Sequence, residues 1–130
     1  MSGVALDTNA YRALDDGDAA LSRMVQTATS VALPVTVIGE LYFGIFDGKR
    51  RELNSANLNR LISLPRSVIL HIDQQTALLY GEISAQLKKI GKPMQQNDVW
   101  IAALCKQHGY PLATADKGFR VVTGLEALTF

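Results

Sequence analysis

Apolar residues along this chain follow two different spacings. Short, mostly apolar runs occur at residues 3–6, 31–35, 68–72, 112–115 and 119–122, the size of strands crossing a sheet buried on both faces. Between them the spacing is helical. A short helix fits residues 11–14, and Ala20, Leu21, Met24 and Val25 mark one over 19–27. Ile38, Leu41, Tyr42 and Ile45 recur at i, i+3, i+4 and i+7 within 37–46, and Leu53, Leu58, Leu61 and Ile62 supply the apolar side of 50–64. A long helix is expected over 76–90. Residues 99–105 carry no charge, which predicts a buried helix. Thr36, Asp73 and Asn97 stand where N-caps are expected, and Pro65 and Gly91 where helices end. Pro34 limits how its strand can pair. Alternating helices and short strands predict an α/β fold with a short central parallel sheet flanked by helices on both faces, in one domain over residues 1–130.

Composition narrows this picture without redirecting it. At 130 residues, 48% hydrophobic and 19% charged, the chain is long and apolar enough for a proper core and too apolar for disorder. The 13 Lys and Arg against 12 Asp and Glu leave a net charge of +1, so nucleic acid cannot be held by bulk charge alone. A bound cation or a partner must supply part of any positive field. The one cysteine, Cys105, falls in the uncharged helix as a core residue and excludes an internal disulfide. There is no basic-then-apolar leader, and no run approaches the roughly 20 apolar residues of a membrane span. A soluble, cytoplasmic protein is expected, with no membrane partner.

Four carboxylates stand out by their settings. Asp7 and Asp116 each follow a short apolar strand, where open α/β sheets place their ligand sites. Asp98 begins the uncharged helix, and Glu40 is the only charged residue between Thr36 and Phe46. Each also has an ordinary explanation: Asp7 can cap the helix after it, and Asp98 suits a helix dipole in a first turn. Glu40 resists this, because a capping box places its Glu three residues after the cap rather than four. An isolated Glu on an apolar helix is costly to bury unless paired or bound to a cation. If the strands are parallel, all four acids face one side of the sheet and repel one another. Mg²⁺ or Mn²⁺, bound through oxygen, would remove that conflict and support phosphodiester hydrolysis. His71, in an apolar strand, reads as a core or edge residue; neither it nor His108 has a nucleophile beside it, and there is no glycine-rich phosphate loop.

Four segments then carry a resemblance. Val4-Ala-Leu-Asp-Thr-Asn9, Thr36-Val-Ile-Gly-Glu-Leu-Tyr-Phe-Gly44, Asn97-Asp-Val-Trp-Ile-Ala-Ala103 and Leu112-Ala-Thr-Ala-Asp-Lys-Gly-Phe119 resemble the signature segments of the PIN-domain nucleases, and Val121-Val-Thr-Gly-Leu125 resembles their tail. Over residues 3–125 the chain is similar, more narrowly, to the VapC toxins of bacterial type II toxin–antitoxin modules. The resemblance implies a PIN-like fold and a Mg²⁺- or Mn²⁺-dependent endoribonuclease acting on cellular RNA. It carries the acidic metal site over to Asp7, Glu40, Asp98 and Asp116. Thr8, Asn9, Asn97 and Thr114 match supporting positions. It also implies a homodimer and a cognate VapB-like antitoxin whose C-terminal segment occupies the toxin's groove, with the helix of Tyr42 and Phe43 a place for a partner to pack. Two rivals remain at this stage: a catalytically silent PIN-like binding module, and an RNA-processing or DNA-cutting PIN nuclease without an antitoxin. Arg12, Lys49, Arg50, Arg51, Lys88, Lys89 and Lys117 are the candidate RNA contacts, and the sequence singles out none of them.

Overall fold

Each apolar run is only long enough to cross one sheet, and a polar residue then turns the chain into a helix. In the computed structural model, which describes residues 3–130, these pieces alternate from end to end. The expected domain over 1–130 includes Met1 and Ser2, which lie outside the described residues. Strand β1 (Val4–Leu6) leads into helices α1 (Thr8–Asp15) and α2 (Ala19–Thr27), then β2 (Val31–Pro34), α3 (Val35–Asp47) and α4 (Arg51–Ile62). Strand β3 (Ser67–Leu70), helices α5 (Gln74–Lys89) and α6 (Gln96–His108), and β4 (Leu112–Thr114) follow. A short 3₁₀ helix (Lys117–Val121) and strand β5 (Ala127–Thr129) complete the chain.

All strand pairs are parallel, in the order β3-β2-β1-β4-β5. The chain steps outward from β1 to β3 and returns to the other side of β1 for β4, so the order reverses between β1 and β4. That crevice is where open parallel sheets bind ligands.

The strands alternate their side chains between two cores. Val4, Leu6, Val31, Leu33 and Ala113 pack with Ala10, Leu21 and Val25 on one face. Ala5, Ala32 and Leu112 face the other way, with Leu41, Ile45, Leu58, Ile83, Leu87, Ile101 and Leu104. The alanines on this second face give α6 room to lie close, and residues 101–105 of that helix are all buried. An uncharged helix is thus stabilised by burial, at roughly 1.5–3 kcal/mol per large apolar side chain. Trp100 stacks on Tyr80 of α5, with ring centroids 4.2 Å apart. Among the described residues no helix is long and apolar enough to cross a membrane.

Several local expectations need correction. Residues 119–122 are not a strand. Gly118 donates to the Asp116 side chain at 2.8 Å, winding the chain into the 3₁₀ helix, and Phe119, its one fully buried residue, anchors it in the core. A short apolar run does not separate strand from helix. The strand at the β4 edge is instead β5, in a segment that the apolar runs did not mark as a strand. Thr36 does not cap α3: the helix begins directly after Pro34, and the Thr36 hydroxyl is buried with no partner among the described residues. Asn97 does not cap α6 either, since Gln95 holds that position without a side-chain bond. His71 lies beyond the end of β3 and is exposed. Asp73 does cap α5, in a reciprocal capping box with Thr76.

Gly3 leads into β1 against Tyr110, whose hydroxyl shares a 3.0 Å hydrogen bond with Ser30. That bond spans the approaches to β2 and β4, on either side of β1. A Cβ at Gly3 would overlap the Tyr110 ring and crowd Ser30. Gly3→Ala is expected to cost about 1–3 kcal/mol by displacing the ring, seen as a lower urea midpoint; an unchanged midpoint would show that Tyr110 yields freely.

Candidate metal centre

The strand ends on either side of the topological reversal deliver the first two acids. Asp7 follows β1 and is 6% exposed. Its Oδ1 accepts the Ala10 backbone N–H at 2.8 Å, so it caps α1 while also lining the crevice. The ordinary explanation open in the sequence, a helix cap, therefore holds, and the same side chain faces the crevice. Asp116 follows β4 on the neighbouring strand. Its backbone N–H donates to Thr114 Oγ1 at 2.9 Å, which fixes the exit from the strand.

Helices bring the other two. Asp98 lies in the first turn of α6, half-buried. Glu40 lies on α3, exposed and held by two donors from different helices. Thr8 Oγ1 of α1 donates to Oε2 at 3.1 Å, and Asn97 Nδ2 of α6 donates to Oε1. Asn97 therefore grips the acid of another helix instead of capping its own. Three helices meet at one carboxylate.

Asp7, Glu40, Asp98 and Asp116 line a single opening, together with Thr8, Asn9 and Arg12. Thr114 lies fully buried beneath. Gln95, which the sequence reading passed over, also lines the opening; its only signal was a polar residue just ahead of the helix that carries Asp98. Among the described residues, no three His, Cys, Asp or Glu side chains stand close enough together to hold an ion as they are placed. The acids share an opening without closing on one point.

Electrostatics shows the cost of this arrangement. Burial pushes the Asp7 carboxyl above its usual range. The Thr114 hydroxyl and the backbone N–H groups of Ala10 and Asn9 draw it back, while the Asp116 charge pushes it up further. Asp98 is also raised, first by burial, then by the charges of Asp116, Glu40 and Asp7. No hydrogen bond offsets that shift. The donor set is all oxygen and its negative charge is uncompensated, the chemistry that suits a hard divalent cation such as Mg²⁺ or Mn²⁺. The residues fit such an ion in kind.

The other sequence features fall elsewhere. Asp15 at the end of α1, Asp16 after it and Asp18 at the cap of α2 are all exposed. Lys49, Arg50 and Arg51 are exposed beyond α3, with Arg51 over the Phe46 ring, 5.7 Å from its centroid.

The sequence profile of the PIN domain matches residues 4–125, a span that contains all four acids. Ribonuclease VapC2 of Haemophilus influenzae is 33% identical over 94 residues, covering 72% of this chain and 70% of that protein. Ribonuclease VapC5 of Mycobacterium tuberculosis is 25% identical over 119 residues, 92% of this chain and 87% of its own. Among solved structures, VapBC-1 from nontypeable Haemophilus influenzae superposes with a TM-score of 0.83 at 27% identity, covering 99% of this chain and 98% of that one. VapBC2 from Rickettsia felis, bound to a DNA fragment from its promoter, gives a TM-score of 0.85 over the same shares at 22% identity, a likeness of fold.

Proposed function

The chain belongs to the PIN-domain family, and from that premise we propose that it is a metal-dependent endoribonuclease, the VapC-like toxin of a toxin–antitoxin pair. One observation carries the reading: four carboxylates from four separate segments line one opening at the reversal point of a parallel sheet. The two relatives described above, from Haemophilus influenzae and Mycobacterium tuberculosis, are named ribonucleases. Asp7, Glu40, Asp98 and Asp116 are the residues that would hold Mg²⁺ or Mn²⁺. Such an ion, when bound, lowers the pKa of water and neutralises charge developing on a phosphate.

The chain's own groups prepare that site. The backbone N–H of Ala10 and the Thr114 hydroxyl fix Asp7. Thr8 and Asn97 each hold one oxygen of Glu40, leaving each with lone-pair capacity to face the opening. Supporting bonds of this kind typically govern affinity or activity by 10–100-fold. Asn97→Ala is therefore expected to raise the Mg²⁺ concentration needed for half-maximal cleavage by roughly tenfold or more. An unchanged Mg²⁺ titration would remove Asn97 from the site.

Neighbours of known structure are VapBC complexes, and a VapB-like antitoxin is the partner proposed here, together with a second copy of the chain. Phe43 and Phe46 of α3 are 71% and 61% exposed, and Tyr42 stacks on Phe46. That apolar strip is a surface on which a partner can pack.

The test is cleavage of total cellular RNA by the purified, antitoxin-free protein in Mg²⁺ or Mn²⁺, beside EDTA and Asp7→Asn controls. Discrete fragments absent from both controls are expected. RNA left intact by a folded protein that still captures a small partner would favour the silent binding module.

A further inference from the structure

Among the charged side chains lining the acidic opening, one is basic. Arg12, on the last turn of α1, lines it with Asp7, Glu40, Asp98 and Asp116. Its side chain is exposed, and among the described residues no hydrogen bond or ion pair holds the guanidinium. Nor does it relieve the acids. The upward shifts of Asp7 and Asp98 have burial and other carboxylates among their causes, but not the Arg12 charge. The guanidinium therefore shares the opening with the acids without being bonded to any of them.

Arg12 also lines the adjoining groove between α1 and α3, alongside Tyr11, Leu41 and Gly44. A Cβ at Gly44 would lie 3.5 Å from Arg12 Nη2, an ordinary contact distance, which places the guanidinium beside α3, the helix that carries Glu40. A free cation thus occupies the ridge shared by two depressions. One of them is lined by four acids, which would repel an approaching polyanion. With a net charge of +1, little long-range field offsets that repulsion. Arginine suits the task, because its planar fork can hold two phosphate oxygens at once and never loses its charge.

We propose that Arg12 is a substrate-binding residue that grips the non-bridging oxygens of an RNA phosphate flanking the one to be cut, holding the strand across the rim of the acidic opening. The inference rests on the nuclease reading above and assigns one contact within it.

The test uses a fluorescein-labelled single-stranded RNA and the Asp98→Asn protein, which binds without cutting. Anisotropy is measured in Mg²⁺ over a series of salt concentrations, with and without Arg12→Gln. Arg12→Gln is expected to raise Kd by about tenfold or more at the lowest salt, the scale of one charge-assisted contact. The slope of log affinity against log salt should become shallower by about 0.7, the loss of one phosphate contact on a single strand. Arg12→Lys should keep the slope and recover part of the affinity, which a merely structural role would not produce. Unchanged affinity and slope in Arg12→Gln, with wild-type protein cutting the same RNA, would overturn this inference alone. Arg12-dependent binding with no wild-type cleavage would overturn the nuclease reading and leave the contact standing. Absence of both would overturn both.

Discussion

Asp98→Asn is expected to lower RNA cleavage by about three orders of magnitude or more while leaving the fold at least as stable. The two effects have one cause. Asp98 is half-buried, and its carboxyl is raised by burial and by the charges of Asp116, Glu40 and Asp7. The charge is unfavourable to the fold, so an amide of the same shape relieves both burial and repulsion. For a cation the reverse holds: an anionic ligand becomes a neutral one. A metal ion contributes several kcal/mol of transition-state stabilisation, and each 1.36 kcal/mol is a factor of ten in rate. Single-turnover cleavage and thermal unfolding of the same preparation separate the roles. Tm should hold or rise by up to about 4 °C, the span of roughly 1 kcal/mol in a domain of this size. A variant that still cuts at the wild-type rate would remove Asp98 from the centre. Lost cleavage with a collapsed Tm would make it a structural residue.

The second large effect is a reversal in how stability responds to pH. Asp7 and Asp98 have folded-state pKa values above the ordinary 3.8. The native chain therefore holds their protons more tightly than the unfolded chain. Stability from these two groups is present when they are protonated and is lost as pH rises from 3.8 through the raised values. Asp73 is shifted the opposite way, by bonds from Thr76 and Gln107, and its contribution fades only below 3.8, so the windows do not overlap. In EDTA the site acids should thus pull Tm down as pH climbs above about 4. A divalent cation binds only the ionised acids, so its stabilisation should grow over the same interval. At about 100 times its Kd it contributes about 2.7 kcal/mol, or roughly 10 °C here. Melting curves from pH 4 to 7 with EDTA or Mn²⁺ test this. A cation shift independent of pH would mean that the ion binds elsewhere.

The sequence made the layers legible because strand and helix spacings alternate cleanly and the strands lack charge. It also made the four acids legible, since a single charge in an apolar helical run is conspicuous, as Glu40 is between Thr36 and Phe46, although the structure leaves that side chain exposed rather than buried. What escaped it was long-range pairing. Asn97 looks like a cap for α6 when only its neighbours in sequence are considered, and becomes a partner of Glu40, 57 residues away, only once α3 and α6 meet. The residues 119–122 failed for the opposite reason. A local bond, Gly118 to the Asp116 side chain, overrode an apolar run that reads equally well as a strand. Arg12 could not be separated from the other basic residues, because nothing in its local sequence says that it shares an opening with the acids.

The reversal of strand order between β1 and β4 also has a consequence for synthesis. Strands β1, β2 and β3 can pair in the order in which they leave the ribosome, yet one edge of β1 stays open until residues 112–114 arrive. Domains form from the N-terminus as translation proceeds, but here the middle of the sheet is the part finished late. Asp7 emerges with β1 and waits for Asp116, which follows β4. A chain halted or clipped before β4 lacks the fourth acid, so a candidate centre that draws on both sides of β1 is incomplete until β4 has emerged and paired.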